Sequence, residues 1–364
     1  MKSIEIDRSK SLVEQPETGH NRWHPDIEPR IAVAPGEETV LQTRDATDGQ
    51  SLSGYTKPRS FGRTHPLTGP VYVEGAKPGD LLEVEYLEIA PEPTGWTSCG
   101  PGTGFLPDLL DAPFIAYWDI KDGWALSPQV PGVRIPNGSF MGTAGVAPSH
   151  ELLAAWNRRE SDLVARGGQA RLPDPADAVP NTPGIAAEAA RTMPPRENCG
   201  NIDAKQLTKG SKLLLPVFVD GALYSAGDAH FAQGDGEVCI TAIEMSATAT
   251  VRFRVLPGEA ERKNIRWPRI VHPGYFLPPE WAAPRNFIAT TGMPVRQDGV
   301  QENGDLNLAA RNALLDMIDL LQERGFSKAQ AYVICSVAVD LRISNLVDMP
   351  NVTVSALLPE AIFG

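Results

Sequence analysis

Glycine and proline most restrict how this 364-residue chain can fold, since each occurs 33 times. Glycine admits positive φ angles, while proline fixes φ and removes a backbone donor, so both concentrate in turns and interrupt long helices. Aromatic residues make up only 7% of the sequence. This balance predicts a β-rich architecture with many irregular connections.

Period-two alternation of apolar and polar residues predicts where the strands lie. It is clearest in Leu81–Ile89 and Ala247–Val255, with shorter runs at Glu38–Thr43 and Val238–Ile243. Such alternation with Val, Thr and Tyr is typical of half-buried strands. Between Pro91 and Pro136 the chain is so rich in glycine and proline that we expect few regular elements there.

Helical spacing of apolar residues appears in three segments. They are Glu151–Arg166, Asn307–Arg324 and a segment that Ser327 caps and that ends near Val339. Together with the strands they predict an α+β, β-rich fold, in which a strand-dense core is joined by helices late in the chain.

The same patterns suggest how the chain divides. Residues 1–150 are predicted to form an N-terminal β-rich half, 151–195 a Gly/Pro/Ala-rich helical insertion or linker, and 196–364 a C-terminal β-rich half with terminal helices. The alternative is that the two β-rich halves intertwine as one unit.

Charge and composition exclude several classes of partner. The net charge of −12 repels phosphate backbones, so no nucleic acid partner is expected. No apolar run approaches the roughly 18 residues of a membrane span, and Met1–Asp7 lacks a signal-peptide core, which predicts a cytoplasmic protein with no membrane partner. The four widely spaced cysteines predict buried free thiols rather than disulfides or a zinc knuckle.

The densest polar cluster is Gly227–Glu237, between two strand-like runs. Asp228 and His230 are two residues apart, so on an extended segment both side chains point to the same side. A carboxylate and an imidazole that converge in this way can bind a divalent cation or form an acid–base pair. Glu237 could supply a third ligand or a general base. The alternative is an ordinary glycine-rich hairpin with solvated acids.

Two further clusters are weaker. Asn201 and Asp203 also stand two residues apart and could face one pocket, although Asn-containing segments of this kind commonly form turns. Near the N-terminus, His20 and His24 are four residues apart, but Pro25 disfavours a helix there and the HExxH glutamate is missing. The GxSxG elbow and the P-loop are absent as well, which excludes those hydrolase and nucleotide-binding classes.

Five segments resemble the acetamidase/formamidase family. Thr68–Asp80 is similar to its TGPxxVEGAxPGD element, Asn201–Lys205 to GGNxDxK, and Gly227–Glu237 to GDxHxxQGDGE, while His20–Asp26 and Arg44–Gln50 resemble N-terminal elements of the formamidase branch. The segments occur in order from about residue 20 onward. Two departures stand out: Cys199 replaces a glycine of many relatives, and Ile135–Gly142 contains no histidine where many relatives have a His-Pro-Gly segment.

The resemblance implies a hydrolase that cleaves the C–N bond of a small aliphatic amide, such as formamide or acetamide, to a carboxylate and ammonia. It also implies a β-rich fold with helices, a homo-oligomer, and in some members a divalent metal such as zinc. Ring opening of a γ-lactam stays open as an alternative because related members resemble lactam-hydrolysing enzymes. A non-catalytic protein that binds small amides or carboxylates is the other alternative.

Amide hydrolysis needs an activated water, a stabilised oxyanion and a proton for the leaving ammonia, which leads to a working assignment of roles. The metal ligands are Asp203, Asp228 and His230, and the proton shuttle is Glu237. Asn201 or the backbone N–H groups near Gly234 and Gly236 donate to the oxyanion. Asp45 and His20 orient the substrate or complete the metal shell. A metal-free variant keeps the same residues, with Glu237 or Asp228 as the base.

Overall fold

The computed structural model describes residues 1–51, 59–275 and 286–363. Within these residues the helices are α1 (His150–Ala165), α2 (Pro183–Glu188), α3 (Glu259–Arg262), α4 (Leu306–Glu323) and α5 (Lys328–Ala338). The strands are β1 (Lys2–Ile4), β2 (Gly19–His20), β3 (Arg22–Trp23), β4 (Ile31–Val33), β5 (Glu38–Thr43), β6 (Leu67–Val73), β7 (Leu81–Cys99), β8 (Phe114–Lys121), β9 (Trp124–Leu126), β10 (Arg134–Pro136), β11 (Phe140–Gly145), β12 (Ala190–Arg191), β13 (Cys199–Asn201), β14 (Lys212–Pro216), β15 (Tyr224–His230), β16 (Glu244–Leu256), β17 (Arg269–Val271), β18 (Phe287–Gly292), β19 (Asp340–Asn345) and β20 (Thr353–Pro359). The predicted α+β, β-rich class is confirmed.

The chain forms two units that interleave along the sequence. The first consists of Met1–Glu92, Ser139–Ala229 and Met245–Tyr275, and the second contains Pro93–Gly138, His230–Glu244 and the described residues from 286 onward. Strands β7 and β15 each begin in the first unit and end in the second. The sequence boundaries at residues 150 and 195 stay a prediction.

The first unit is built on long antiparallel pairings between strands that are distant in sequence. Strand β5 pairs with β16 from Thr43 opposite Ala247 to Glu38 opposite Arg252, and β6 pairs antiparallel with β2 and β15 and parallel with β4. Buried residues alternate along β5 and through most of β16, as the sequence predicted. Strand β15 departs from this pattern, because all seven of its residues are buried and its register with β6 shifts between Tyr224 and Ala226.

The second unit contains both strands and helices. The end of β7 pairs with β8 from Thr94 opposite Asp119 to Cys99 opposite Phe114, and β8, β9 and β10 continue as antiparallel neighbours. A separate antiparallel sheet has the order β18–β20–β19. Helix α4 packs against β18, β20 and α5, and its apolar residues are buried as the helical spacing predicted. A capping box between Ser327 and Gln330 begins α5.

Two sequence expectations about strands are wrong. The segment from Pro91 to Pro136 was expected to hold few regular elements, but it contains the end of β7 and all of β8, β9 and β10. Strand β7 continues there because its pairing with β8 starts at Thr94, just beyond the prolines. Residues 238–243 do not form a strand, since Ile240 has a φ of +82° and the chain turns there. Strand β16 begins only at Glu244.

The expectation about cysteines is confirmed, since all four are free and buried. Among the described residues, no helix combines the length and the apolar character that a bilayer crossing requires.

Candidate functional site

A hydrogen-bonded polar group in the first unit brings together three of the residues that the sequence singled out. The Thr143 hydroxyl lies within hydrogen-bonding distance of Asn201 Oδ1 and of Asp228 Oδ2, which is 3.1 Å away. Asn201 Nδ2 donates to Asp203 Oδ2 at 2.8 Å. Asn201, Asp203 and Asp228, which are distant in sequence, therefore meet around one threonine.

Strand pairing explains this placement. Strand β11 pairs antiparallel with β13, which sets Thr143 opposite Asn201 and Gly145 opposite Cys199. Cys199 has a φ of +82°, in the region that glycine prefers. Its thiol is fully buried, and burial raises its pKa, so this cysteine is not a thiolate nucleophile.

The backbone is strained at three of the predicted site residues. Asp203, Asp228 and Glu237 have φ angles of +44°, +55° and +43°. Positive φ is uncommon for residues other than glycine, and such strain tends to cluster at functional sites. His65, whose φ is +52°, places its Nδ1 3.2 Å from Asp228 Oδ2. Sequence reasoning had assigned no role to His65.

Strand β15 carries both Asp228 and His230. Carboxylate oxygens of Asp203 and Asp228, both in the first unit, lie within 4.8 Å of each other. His230 is the last residue of the strand and is 1% exposed. The predicted ligand pair of Asp228 and His230 is therefore held by one continuous, buried strand.

A second polar group surrounds His230 within the second unit. His230 Nδ1 lies 2.9 Å from Gln233 Oε1, and His230 Nε2 lies 3.2 Å from Glu244 Oε2. Glu244 Oε1 accepts a hydrogen bond from the Ala242 N–H at 3.0 Å. Ligand atoms of His230, Glu237 and Glu244 all lie within 4.8 Å of one another.

Sequence reasoning missed Glu244. It belongs to none of the quoted motifs and stands at the start of a long alternating strand, where a charged residue would be taken as solvated. The burial of Glu244 beside Met245 is visible only in the structure. A buried carboxylate requires a charged or hydrogen-bonding partner, and here the partner is His230.

The loop between His230 and Glu237 is shaped by its glycines. The Gly234 N–H donates to Ser336 O at 2.8 Å, and Gly236 has a φ of +110°. The Glu237 N–H donates to Gly234 O at 3.1 Å, so Glu237 lies in a turn rather than at the start of a strand. The Gly234 N–H is already engaged here, and it is not available to stabilise an oxyanion.

Gly234 also packs too closely for a side chain. A Cβ at this position would lie 2.1 Å from Val339 O, whereas a Cβ at Gly184 would meet nothing within 4 Å. We therefore expect Gly234→Ala to lower the free energy of unfolding by about 3 kcal/mol, because backbone atoms must move to make room for the methyl group. Gly184→Ala, the matched control, should leave the free energy of unfolding nearly unchanged. Urea unfolding of both variants tests this, and equal stability would contradict the close packing.

Asp45 and His20, the two predicted substrate-orienting residues, make contacts within the protein framework. Asp45 accepts hydrogen bonds from the Thr47 N–H at 2.9 Å and the Gly49 N–H at 2.9 Å, which closes its own loop. His20 Nε2 lies 2.7 Å from Ser225 Oγ on β15. The contact of either side chain with a substrate stays a prediction.

Burial gives His20 a pH-dependent role in stability. Burial lowers the pKa of its imidazole to about 3, against an ordinary value of 6.5. On acidification the His20 imidazole of the unfolded chain binds a proton at a higher pH than that of the folded chain, so acid favours unfolding. The stabilisation that neutral His20 gives the folded chain is therefore complete above pH 6.5 and is lost as the pH falls toward 3. We expect a loss of about 2 kcal/mol in unfolding free energy between pH 7 and pH 5 from this group.

His20→Gln should remove this contribution. Urea unfolding at pH 7 and pH 5 should give the variant a lower stability at pH 7 but a smaller drop on acidification. An equal drop in both proteins would show that His20 is not buried in its neutral form.

The donors on β15 and around it suit a divalent metal ion. Within the second unit, ligand atoms of His230, Glu237 and Glu244 are close enough to hold one. Carboxylate oxygens and imidazole nitrogens are the donors that zinc takes in hydrolytic sites. A divalent metal is therefore plausible at His230.

Comparison with known proteins defines the class. The model of the acetamidase/formamidase family matches residues 5–364, and the chain belongs to this family. It is accordingly a hydrolase of amide C–N bonds, as the sequence motifs implied.

Individual relatives cover almost the whole chain. An acetamidase of Mycolicibacterium smegmatis is 38% identical, over 90% of this chain and 87% of the relative. A formamidase of Methylophilus methylotrophus is 34% identical, over 99% of this chain and 93% of the relative. The solved structure of a gamma lactamase from Delftia acidovorans is 34% identical and superposes with a TM-score of 0.92, over 100% of this chain and 93% of that one.

Proposed function

We propose that this protein hydrolyses small linear amides of the formamide and acetamide type to a carboxylate and ammonia. The observation that carries the proposal is the hydrogen-bonded group in which Thr143 contacts Asn201 and Asp228 and Asn201 contacts Asp203, with positive φ angles at both aspartates. A group of acids and an amide, of which Asp228 is buried and the other two are partly exposed, can orient a small polar substrate and move protons. Relatives named acetamidase and formamidase support the same substrate class.

Asn201 is the proposed oxyanion donor. Its Nδ2 carries two protons, and the structure shows one of them donated to Asp203 Oδ2. The second can donate to the carbonyl oxygen of the substrate as negative charge develops, a contribution of about 3 kcal/mol for one donor. Asn201 therefore replaces Gly234, whose N–H is occupied by Ser336, in the working mechanism.

Glu237 is the proposed base. Its carboxylate is partly exposed, which suits a group that takes a proton from water and passes it to departing ammonia. It also lies within 4.8 Å of a His230 ring nitrogen. Glu244, buried against the same histidine, holds the ring in place.

Asp203, Asp228 and His230 are the proposed ligands of a divalent metal, with zinc as the first candidate. When bound, the ion would polarise the amide carbonyl as a Lewis acid. We expect chelation to lower activity at least tenfold and Zn²⁺ to restore it, with elemental analysis of the purified protein giving at least one ion per active chain. Full activity in a preparation with no bound metal would favour the metal-free variant, with Glu237 or Asp228 as the base.

Ring opening of a γ-lactam is the second candidate, favoured by the structural similarity to the Delftia enzyme. The products separate the two, because linear amides release ammonia whereas a lactam opens to an amino acid and releases none. Proton NMR of equal concentrations of formamide, acetamide and a γ-lactam with the purified protein follows all three. We expect faster loss of the linear amides, and exclusive ring opening would reverse the assignment.

We further propose that the protein acts as a homo-oligomer in the cytoplasm, which rests on the family resemblance. Light scattering of the purified protein tests the first part, with a mass of at least two chains of 39.3 kDa as the expected result. Fractionation of the source cells tests the second.

A further inference from the structure

We propose that the first unit carries a second, surface-exposed site for a divalent transition metal ion such as Zn²⁺, formed by Asp26, His150 and Glu188. These residues come from three separate segments: the chain after β3, the first residue of α1 and the last residue of α2. None of them takes part in the proposed amide chemistry, and the site does not depend on that proposal.

The donor atoms of this surface site already lie close together. His150 Nε2 is 3.0 Å from Asp26 Oδ1, and Glu188 Oε1 is 3.0 Å from His24 Nε2. Ligand atoms of His24, His150 and Glu188 all lie within 4.8 Å of one another. Zinc–ligand distances of about 2.1 Å place neighbouring tetrahedral ligands about 3.4 Å apart. His150 and Asp26 are already near this spacing, and a carboxylate oxygen of Glu188 lies within 4.8 Å of a His150 ring nitrogen.

The hydrogen bonds of His24 define which residues bind the ion. The Asp26 N–H donates to His24 Nδ1 at 3.1 Å, so the neutral ring carries its proton on Nε2 and donates it to Glu188. His24 is buried and keeps this tautomer; it orients the Glu188 carboxylate as outer hydrogen-bond partners of metal ligands commonly do. The ion then takes one imidazole nitrogen, two carboxylates and water.

The accessibility of the three ligands allows the ion to enter. The side chains of Asp26, His150 and Glu188 are between 58% and 62% exposed, whereas that of His24 is only 2% exposed. Binding at His150 Nε2 places the proton of the neutral ring on Nδ1, so the imidazole remains a neutral ligand. Two carboxylates neutralise the charge of the ion, and one imidazole favours zinc over magnesium or calcium.

The test compares Zn²⁺ binding by the wild-type protein and by the double variant His150→Gln with Glu188→Gln. Both positions are exposed, so the fold should be retained, and unchanged thermal unfolding without added metal verifies this. Glu151→Gln, at the second position of α1 and also exposed, is the matched control. Isothermal titration calorimetry at fixed pH gives the number of ions and their affinity.

We expect the wild type and the Glu151→Gln control to bind one more Zn²⁺ per chain than the double variant, or to bind it at least tenfold more tightly. Amide hydrolysis should be equal in all three proteins, so failure of this site is distinct from failure of the proposed function. Identical stoichiometry and affinity in the wild type and the double variant would overturn the proposal.

Discussion

Glu237→Gln should lower kcat for amide hydrolysis by about 10²- to 10⁴-fold, the range that a positioned general base contributes. A carboxamide has nearly the shape of a carboxylate but cannot accept a proton from water. Glu237 is partly exposed in a turn, so the change should affect neither the fold nor substrate binding. Steady-state ammonia release with acetamide, together with binding of the unreacted amide to the variant, measures both quantities.

The same substitution at an exposed site provides the control. Glu323 is exposed at the last residue of α4, and Glu323→Gln should have wild-type activity. If Glu237→Gln kept more than a tenth of wild-type kcat, Glu237 would not be the base, and the proton transfer would have to be assigned to another carboxylate.

Asp228→Asn should lower kcat/KM by about 10³-fold, because several kcal/mol of charge stabilisation is removed from the reaction centre. The fold should tolerate the change. Asparagine has the same shape and accepts positive φ more readily than most residues, and Asp228 has a φ of +55°. The substitution keeps an oxygen or nitrogen atom at the position that lies 3.2 Å from His65 Nδ1.

Asp228→Ala separates the role of the side chain from that of the backbone. Alanine also removes the carboxylate, but it is strained at this φ and leaves the Thr143 hydroxyl with one acceptor fewer. We expect it to be less stable than Asp228→Asn by about 1 to 2 kcal/mol in urea unfolding, with activity equally low. Near-wild-type kcat/KM in Asp228→Asn would mean that this carboxylate supports the strand and takes no part in the reaction.

The sequence predicted local structure well wherever a periodic pattern of apolar residues extended over many residues. The alternation of β5 and β16 and the helical spacing of α4 and α5 are confirmed, because burial of one face is strictly periodic in these elements. It failed between Pro91 and Pro136, where prolines precede strands that are stabilised by pairing with distant segments. Pairing partners across a sheet leave little trace in local sequence.

The residues of the candidate site were likewise predicted only in part. Motifs singled out Asn201, Asp203 and Asp228, which the structure brings together around Thr143. Thr143 itself was missed, because a threonine in an apolar strand has no distinguishing pattern. Its role depends on the register of β11 with β13.

Two histidines were interpreted differently from what the structure shows. No functional role was predicted for His65, yet its ring lies 3.2 Å from Asp228. His24 was set aside with the failed HExxH pattern, yet it meets Glu188 from a segment more than 160 residues away. Such contacts between distant segments arise only when the chain is folded.

The most direct test of the proposed chemistry is the stoichiometry and rate of product formation from acetamide by the purified wild-type protein. We predict one acetate and one ammonia per acetamide consumed, with kcat/KM of at least about 10⁴ M⁻¹s⁻¹ for the better of formamide and acetamide. Saturable binding of these amides with no ammonia above the uncatalysed rate, in preparations both with and without added Zn²⁺, would contradict it and leave a protein that binds amides without hydrolysing them.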